Sequence, residues 1–219
     1  MSSAAAEAQA ADPGRDCPLC PRLVDFRMAQ RVAHPDWHNG PVPSFGDSSA
    51  RLLIVGLAPG LKGANRTGRP FTGDYAGDLL YATLRKFGFA RGNYAQHKDD
   101  GFTLFDCRVS NAARCVPPEN KPLPEEVATC RRFLSAEIAS MPKLCAVLAL
   151  GQIAHGAVLS ALGQRKSAFA FEHAAIYRLP DGKVLADSYH CSRYNTNTGK
   201  LTTAMFEAVF EGLKKTLER

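Results

Sequence analysis

Two short, wholly apolar runs constrain this chain more than anything else in it: Leu52–Val55, opened by Arg51, and Ala146–Leu150. Each is too short to be a core helix. Neither alternates with polar residues, as a strand with one wet face would. Each therefore predicts a strand buried on both faces, and each runs directly into glycine. A helix follows the first at about Ala76–Phe87, with Leu79, Leu80, Leu84 and Phe87 at helical spacing; Gln152–Leu162 follows the second. Strands alternating with helices imply a three-layer α/β architecture, a parallel sheet covered by helices on both sides. In such sheets ligands bind beyond the carboxyl ends of the strands.

The remaining elements fit that frame. Cys17–Val32 predicts a short helix, and residues 102–105 and 108–111 predict extended segments at a second strand. Pro124 suits a helix start, with Glu125 and Glu126 favourable near its N-terminus. Residues 175–178 and 184–187 flank the turn Pro180-Asp181-Gly182. A last helix is predicted over 201–217, with Leu201, Met205, Val209 and Leu213 as its apolar face. Residues 1–13 predict a floppy tail and residues 14–219 a single domain, which 219 residues suit. The tail carries Glu7 and Asp12 and no apolar run, so it is no secretory signal. No stretch is long and apolar enough to span a membrane. The expected setting is the cytoplasm, close to the nucleoid, and the expected state a monomer. With 27 basic and 21 acidic residues the net charge is +6, a balance that suits a nucleic-acid partner without establishing one.

Four of the seven cysteines form a pattern. Cys17 and Cys20 are two residues apart, a spacing that clamps a metal from one turn; Cys115 and Cys130 offer a second pair. Four thiolates suit a [4Fe–4S] cluster or a structural zinc, and spacing alone does not separate the two. An odd cysteine count argues against a complete disulfide framework. Cys107, Cys145 and Cys191 are spare, and Cys145, just before an apolar strand, is expected in the core.

Two loops are dense in chemistry. After the first strand, Gly56, Gly60, Gly63 and Gly68 let backbone approach a ligand, and Phe71, behind Arg69-Pro70, offers a ring to stack on a planar base. Asp74 on its own reads as a helix N-cap. The second loop, His190–Thr202, carries His190, Asn195, Lys200 and Thr202. There Thr198 is a candidate helix cap, and His190 reads equally as a solvated group. Both loops follow strands, so they are expected to meet.

In order, C-x2-C, strand-GLAPG, GRPFTGDYAGDLL, SNAARC-x14-C and H-x-S-x-x-N-x-x-TG-K-LT resemble the iron–sulfur uracil-DNA glycosylases, and more closely their type B branch, family 5. The resemblance covers about Cys17–Leu213. It implies one domain with a central four-stranded parallel sheet flanked by helices, and a [4Fe–4S] cluster on Cys17, Cys20, Cys115 and Cys130. It puts Phe71 against the base, Asn111 on the base's Watson–Crick edge, His190 facing O2, and Asn195 in the same loop. Asp74 becomes the catalytic carboxylate, because Leu57 and Ala58 stand where other branches carry an acid or amide. Cys191 replaces a usual proline, which is expected to loosen the loop, and Arg193 or Tyr194 supplies the intercalating contact. The implied partner is DNA holding uracil or another deaminated base such as hypoxanthine, with a sliding clamp as a candidate second partner. Arg66, Arg69, Arg114, Lys121, Arg193 and Lys200 are candidates for phosphate contacts. The rival reading is a metal-stapled nucleic-acid-binding module without catalysis.

Overall fold

The computed structural model describes residues 12–218; the first eleven residues of the expected tail lie outside them. Its core is a sheet of β1 (Leu52–Gly56), β4 (Cys107–Asn111), β5 (Ala146–Leu150), β6 (Ile176–Arg178) and β7 (Val184–Ser188). The order is β4-β1-β5-β7-β6. The first four strands are parallel, and β6 adds an antiparallel edge through its hairpin with β7. The expected four parallel strands are present, with one more strand beside them. Residues 103–104 do not join this sheet: β2 (Ala90–Arg91) and β3 (Thr103–Leu104) pair as a separate ribbon.

The unbroken hydrophobicity of β1 and β5 has a direct cause. Leu52, Ile54, Ala146, Leu148 and Leu150 point into one core, with α3 (Tyr75–Lys86) and α7 (Thr203–Leu217). Leu53, Val55, Val147 and Ala149 point into the other, with α4 (Pro124–Ala139) and α5 (Gln152–Ala161). Successive side chains alternate faces, and here neither face meets water.

Helix starts follow local chemistry. Asp74 caps α3 by accepting from the Gly77 amide, and Thr202 caps α7 by accepting from the Met205 amide at 3.2 Å. The cap of the last helix is thus Thr202 rather than Thr198, and the helix starts later than expected. Its buried face is Phe206, Val209, Phe210, Leu213 and Leu217, with Met205 only half-buried. A strict interval of four drifts around a helix that turns every 3.6 residues. At the start of α4, the Glu126 carboxylate accepts from the Leu123 amide at 2.7 Å and pairs with Arg22 of α1 (Pro21–Ala33) at 2.8 Å. Cys145 is exposed rather than in the core. Asp12 and Pro13 are not loose: Asp12 accepts from Arg114 at 2.6 Å, and Pro13 lines the cavity that the four cysteines share. No helix among the described residues is long and apolar enough to cross a membrane.

Candidate active site

The carboxyl ends of β1, β4 and β7 place the two loops together. Gly56 ends β1 and sits in register with Asn111, which ends β4. A Cβ added to Gly56 would lie 2.4 Å from Phe71 Cζ and 2.5 Å from Asn111 Oδ1. The ring and the amide therefore converge over a position that tolerates no side chain. Asn111 is 3% exposed and its Oδ1 has no hydrogen-bond partner. Buried acceptors are rarely left bare, so this one faces a place for a donor.

Phe71 is held in a backbone conformation that side chains seldom adopt, with φ +50°. The hold comes from below. Arg69 is buried, forks onto both oxygens of Asp100 at 2.8 Å, and donates to the Thr72 hydroxyl at 2.8 Å. Four aromatic rings surround its guanidinium: Phe45, Tyr81, Tyr94 and Phe102. Tyr94 donates to the Phe71 carbonyl at 3.1 Å, and Tyr81 donates to that of Pro70. The Arg69 fork and bonds from the Ala95 and Phe102 amides hold Asp100 far below the usual carboxylate range, against the effect of burial.

His190 follows β7 and stacks on Phe71, with ring centroids 5.9 Å apart at 26°. It is half-buried rather than a solvated surface group, and desolvation pushes its pKa down to about 4, leaving a neutral imidazole at physiological pH. Asn195 does not reach toward the ring. Its Nδ2 donates to the His190 carbonyl at 2.8 Å and its carbonyl accepts from the Leu201 amide, so it braces the loop. That loop contains a short helix, α6 (Arg193–Asn197), capped by Ser192. Cys191 does not loosen it: the thiol is fully buried and donates to the Ala76 carbonyl at 3.4 Å, joining the His190 loop to α3.

Asp74, the cap of α3, also faces the glycine loop. Its Oδ2 lies so close over Gly63 that a Cβ there would sit 2.3 Å away. Burial raises its pKa, opposed by bonds from the Gly77 and Ala76 amides. Leu57 and Ala58, half-buried, continue the chain between Gly56 and this glycine cradle, from which the short helix α2 (Ala64–Thr67) leads on. Phe71 thus meets Asn111 over Gly56 and stacks on His190, Asp74 lies over Gly60 and Gly63, and Asn195 braces the His190 loop.

The charged groups divide differently from the sequence expectation. Arg69 and Arg114 are buried; Arg114 donates to Glu137 at 2.6 Å, inside a network with Arg108 and Ser110 that ties β4 to α4. Neither can reach a phosphate. Arg66, Lys121, Arg193 and Lys200 are exposed.

Away from these loops, Cys17, Cys20, Cys115 and Cys130 line one small apolar cavity with Leu23 and Phe133. Among the described residues no three potential ligands converge on one metal ion; the four thiols ring a shared space instead. Arg27 Nη1 lies 3.7 Å from the Cys115 sulfur, and the Arg114 amide donates to the Cys130 sulfur at 3.3 Å. As free thiols Cys20, Cys115 and Cys130 resist ionisation: burial, helped by neighbouring thiols, lifts Cys20 to about 11 and Cys115 to about 12.

The loops beyond the strand ends thus bring together a ring, a bare buried amide oxygen and a neutral imidazole. A sequence model of the Uracil DNA glycosylase superfamily matches residues 43–214. The chain is 46% identical over 205 residues to the type-5 uracil-DNA glycosylase of Thermus thermophilus, covering 91% of this chain and 93% of that protein. It is 40% identical to the type-5 enzyme of Pyrobaculum aerophilum, covering 85% and 83%, and 41% identical to that of Mycobacterium leprae, covering 91% and 90%. The chain belongs to the uracil-DNA glycosylase superfamily, in its type-5 branch.

Proposed function

We propose that this chain repairs DNA by turning a uracil nucleotide out of the helix and hydrolysing its N-glycosidic bond, leaving an abasic site. The observation that carries this reading is the bare Asn111 Oδ1 beneath the pinned Phe71 ring. Uracil offers an N3–H for that oxygen and a face for that ring.

Each neighbour takes a role from its own chemistry. Bond cleavage leaves negative charge on the base; neutral His190 donates an N–H to O2, a preorganised oxyanion contact. The sugar becomes cationic, and ionised Asp74 stabilises it and orients the attacking water. The Leu57-Ala58 margin offers no side-chain amide or acid to reject other bases, which supports a range extending to hypoxanthine. A duplex base must first be unstacked, at about a few kcal/mol. Tyr194, 74% exposed beside His190, is the candidate wedge. Arg66, Arg193 and Lys200 are the candidate phosphate contacts.

A [4Fe–4S] cluster fits the ring of thiols better than zinc. It spreads its ligands around a wider body than one ion, and the sulfurs already receive N–H donors. When bound, such a group supplies structure here: it fixes α1 to the segment after β4 and to α4. The protein is proposed to act as a cytoplasmic monomer, with a sliding clamp as a candidate partner.

The test is release of uracil from duplexes carrying U opposite G or A, followed by alkaline cleavage of abasic sites. Strand cleavage that vanishes in Asn111→Ala and His190→Ala protein supports the reading. DNA binding without cleavage on any deaminated base would favour a non-catalytic binding module.

A further inference from the structure

Behind the pocket, His155 of α5 and Asp187 of β7 form a buried pair that base excision does not use. His155 Nδ1 stands 2.8 Å from Asp187 Oδ1, and Nε2 stands 3.0 Å from the Phe169 carbonyl. A carbonyl oxygen only accepts, and so does an ionised carboxylate. A neutral imidazole has one N–H. With neutral His155 and ionised Asp187, one of the two contacts would set lone pair against lone pair. A buried group left so costs about 1–3 kcal/mol. Both contacts are made only when the pair carries one further proton, on the imidazole or on the carboxyl. Asp187 Oδ2 has no partner, which favours the carboxyl, because a bare buried oxygen is worse solvated when it is ionised. Burial acts the same way, raising the Asp187 pKa from the ordinary carboxylate range against the pull of His155.

The pair closes a ring of contacts around His190. From His155, α5 runs back to Gly151, whose amide donates to the Ser188 carbonyl at 2.8 Å and whose Cα faces the His190 side chain. From Asp187 the chain runs forward through Ser188, the last residue of β7, and Tyr189 to His190. The segment 164–175 grips both ends. Phe169 is held by His155, and His173 Nδ1 accepts from the Tyr189 amide at 3.2 Å while its ring stacks on Tyr189. The titratable neighbours are Tyr177 of β6 and Glu172 and His173 of that segment, with Arg131 and Lys166 on the groove between α4 and α5 that His155 lines.

We propose that His155 and Asp187 share one retained proton and act as positioning residues for His190, so that losing the proton slackens the strand end that presents the imidazole. The positioning half rests on the base-excision reading; the shared proton does not. Deprotonation as pH rises removes a buried hydrogen bond and leaves a net negative charge, so excision falls on the alkaline side.

Two measurements on the full chain test this. Proton and nitrogen NMR of His155 should show one strongly downfield proton between the two side chains at neutral pH, absent from Asp187→Ala and lost together with activity as pH rises. In single-turnover excision, Asp187→Asn keeps a donor toward Nδ1 and should stay near the wild-type rate with its alkaline fall abolished. Asp187→Ala should lose about 10- to 100-fold in the chemical step, the scale of a small displacement of a reacting group, with DNA affinity unchanged. The proposal is overturned if no such proton exists in active enzyme, or if Asp187→Asn is as impaired as Asp187→Ala. A downfield proton in protein that excises nothing would instead overturn the excision reading, and the positioning role with it.

Discussion

Replacing Gly56 with alanine puts a methyl where the base is proposed to sit. Its carbon would lie 2.4 Å from Phe71 Cζ and 2.5 Å from Asn111 Oδ1, both inside contact distance. Asn111 cannot retreat, because it ends a buried strand in register with position 56 itself. Phe71 cannot retreat along its backbone, which Tyr94 and the Arg69–Asp100 fork hold. What remains is rotation of the ring away from the slot, which relieves the free protein but must be reversed when the base enters. Overpacking of this kind costs about 1–3 kcal/mol. If about 2–3 kcal/mol falls on the base-bound state, single-turnover excision drops roughly 30- to 160-fold. Binding to undamaged DNA should be unchanged, since no phosphate contact is touched. The assay is uracil release from a U·G duplex under enzyme excess, with thermal melting alongside. Wild-type excision by Gly56→Ala protein that melts normally would refute the placement of the base.

Removing the Arg69 side chain, as in Arg69→Met, leaves Asp100 buried and unpaired, so melting should show a loss of about 3 kcal/mol, part of which Asp100→Asn restores. Asp74 acts ionised, so excision should fall on the acid side as it protonates at its raised pKa. His190 also affects stability. Its folded pKa lies below its unfolded value of 6.5, so the unfolded chain binds more protons between about 4 and 6.5, and stability should decline as pH falls through that window. Tyr194→Ala should slow excision from duplex DNA more than from single strands, which need no unstacking. Cys17→Ala should lower the melting temperature and abolish iron absorbance together; unchanged melting without iron would contradict a structural role for the thiol ring.

What could be read from the sequence depended on whether a residue's environment was local. β1 and β5 were legible because burial on both faces writes itself into consecutive residues, and the two loops were legible because glycine, phenylalanine, aspartate and histidine cluster there. Arg69 and Arg114 were misread as phosphate contacts, since Asp100 and Glu137, which bury them, lie far along the chain. Cys145 was misread because one exposed position beside an apolar strand looks like another strand residue. The antiparallel β6 was legible as a strand, but its direction follows from the hairpin turn. The His155–Asp187 pair left no trace, because neither residue is unusual until the fold sets them 2.8 Å apart.

The thiol ring also dictates an order of events during synthesis. Cys17 and Cys20 leave the ribosome about 110 residues before Cys130, roughly 5–20 s earlier at common elongation rates. Throughout that interval the first two thiols have no completed cavity to enter, and they stand open to oxidants. A chain stalled before α4 could never close the ring, whatever the state of its first strand. Closure of the ring onto the Pro21–Ala33 helix thus waits on how far translation has gone, although that helix is the first regular element among the described residues.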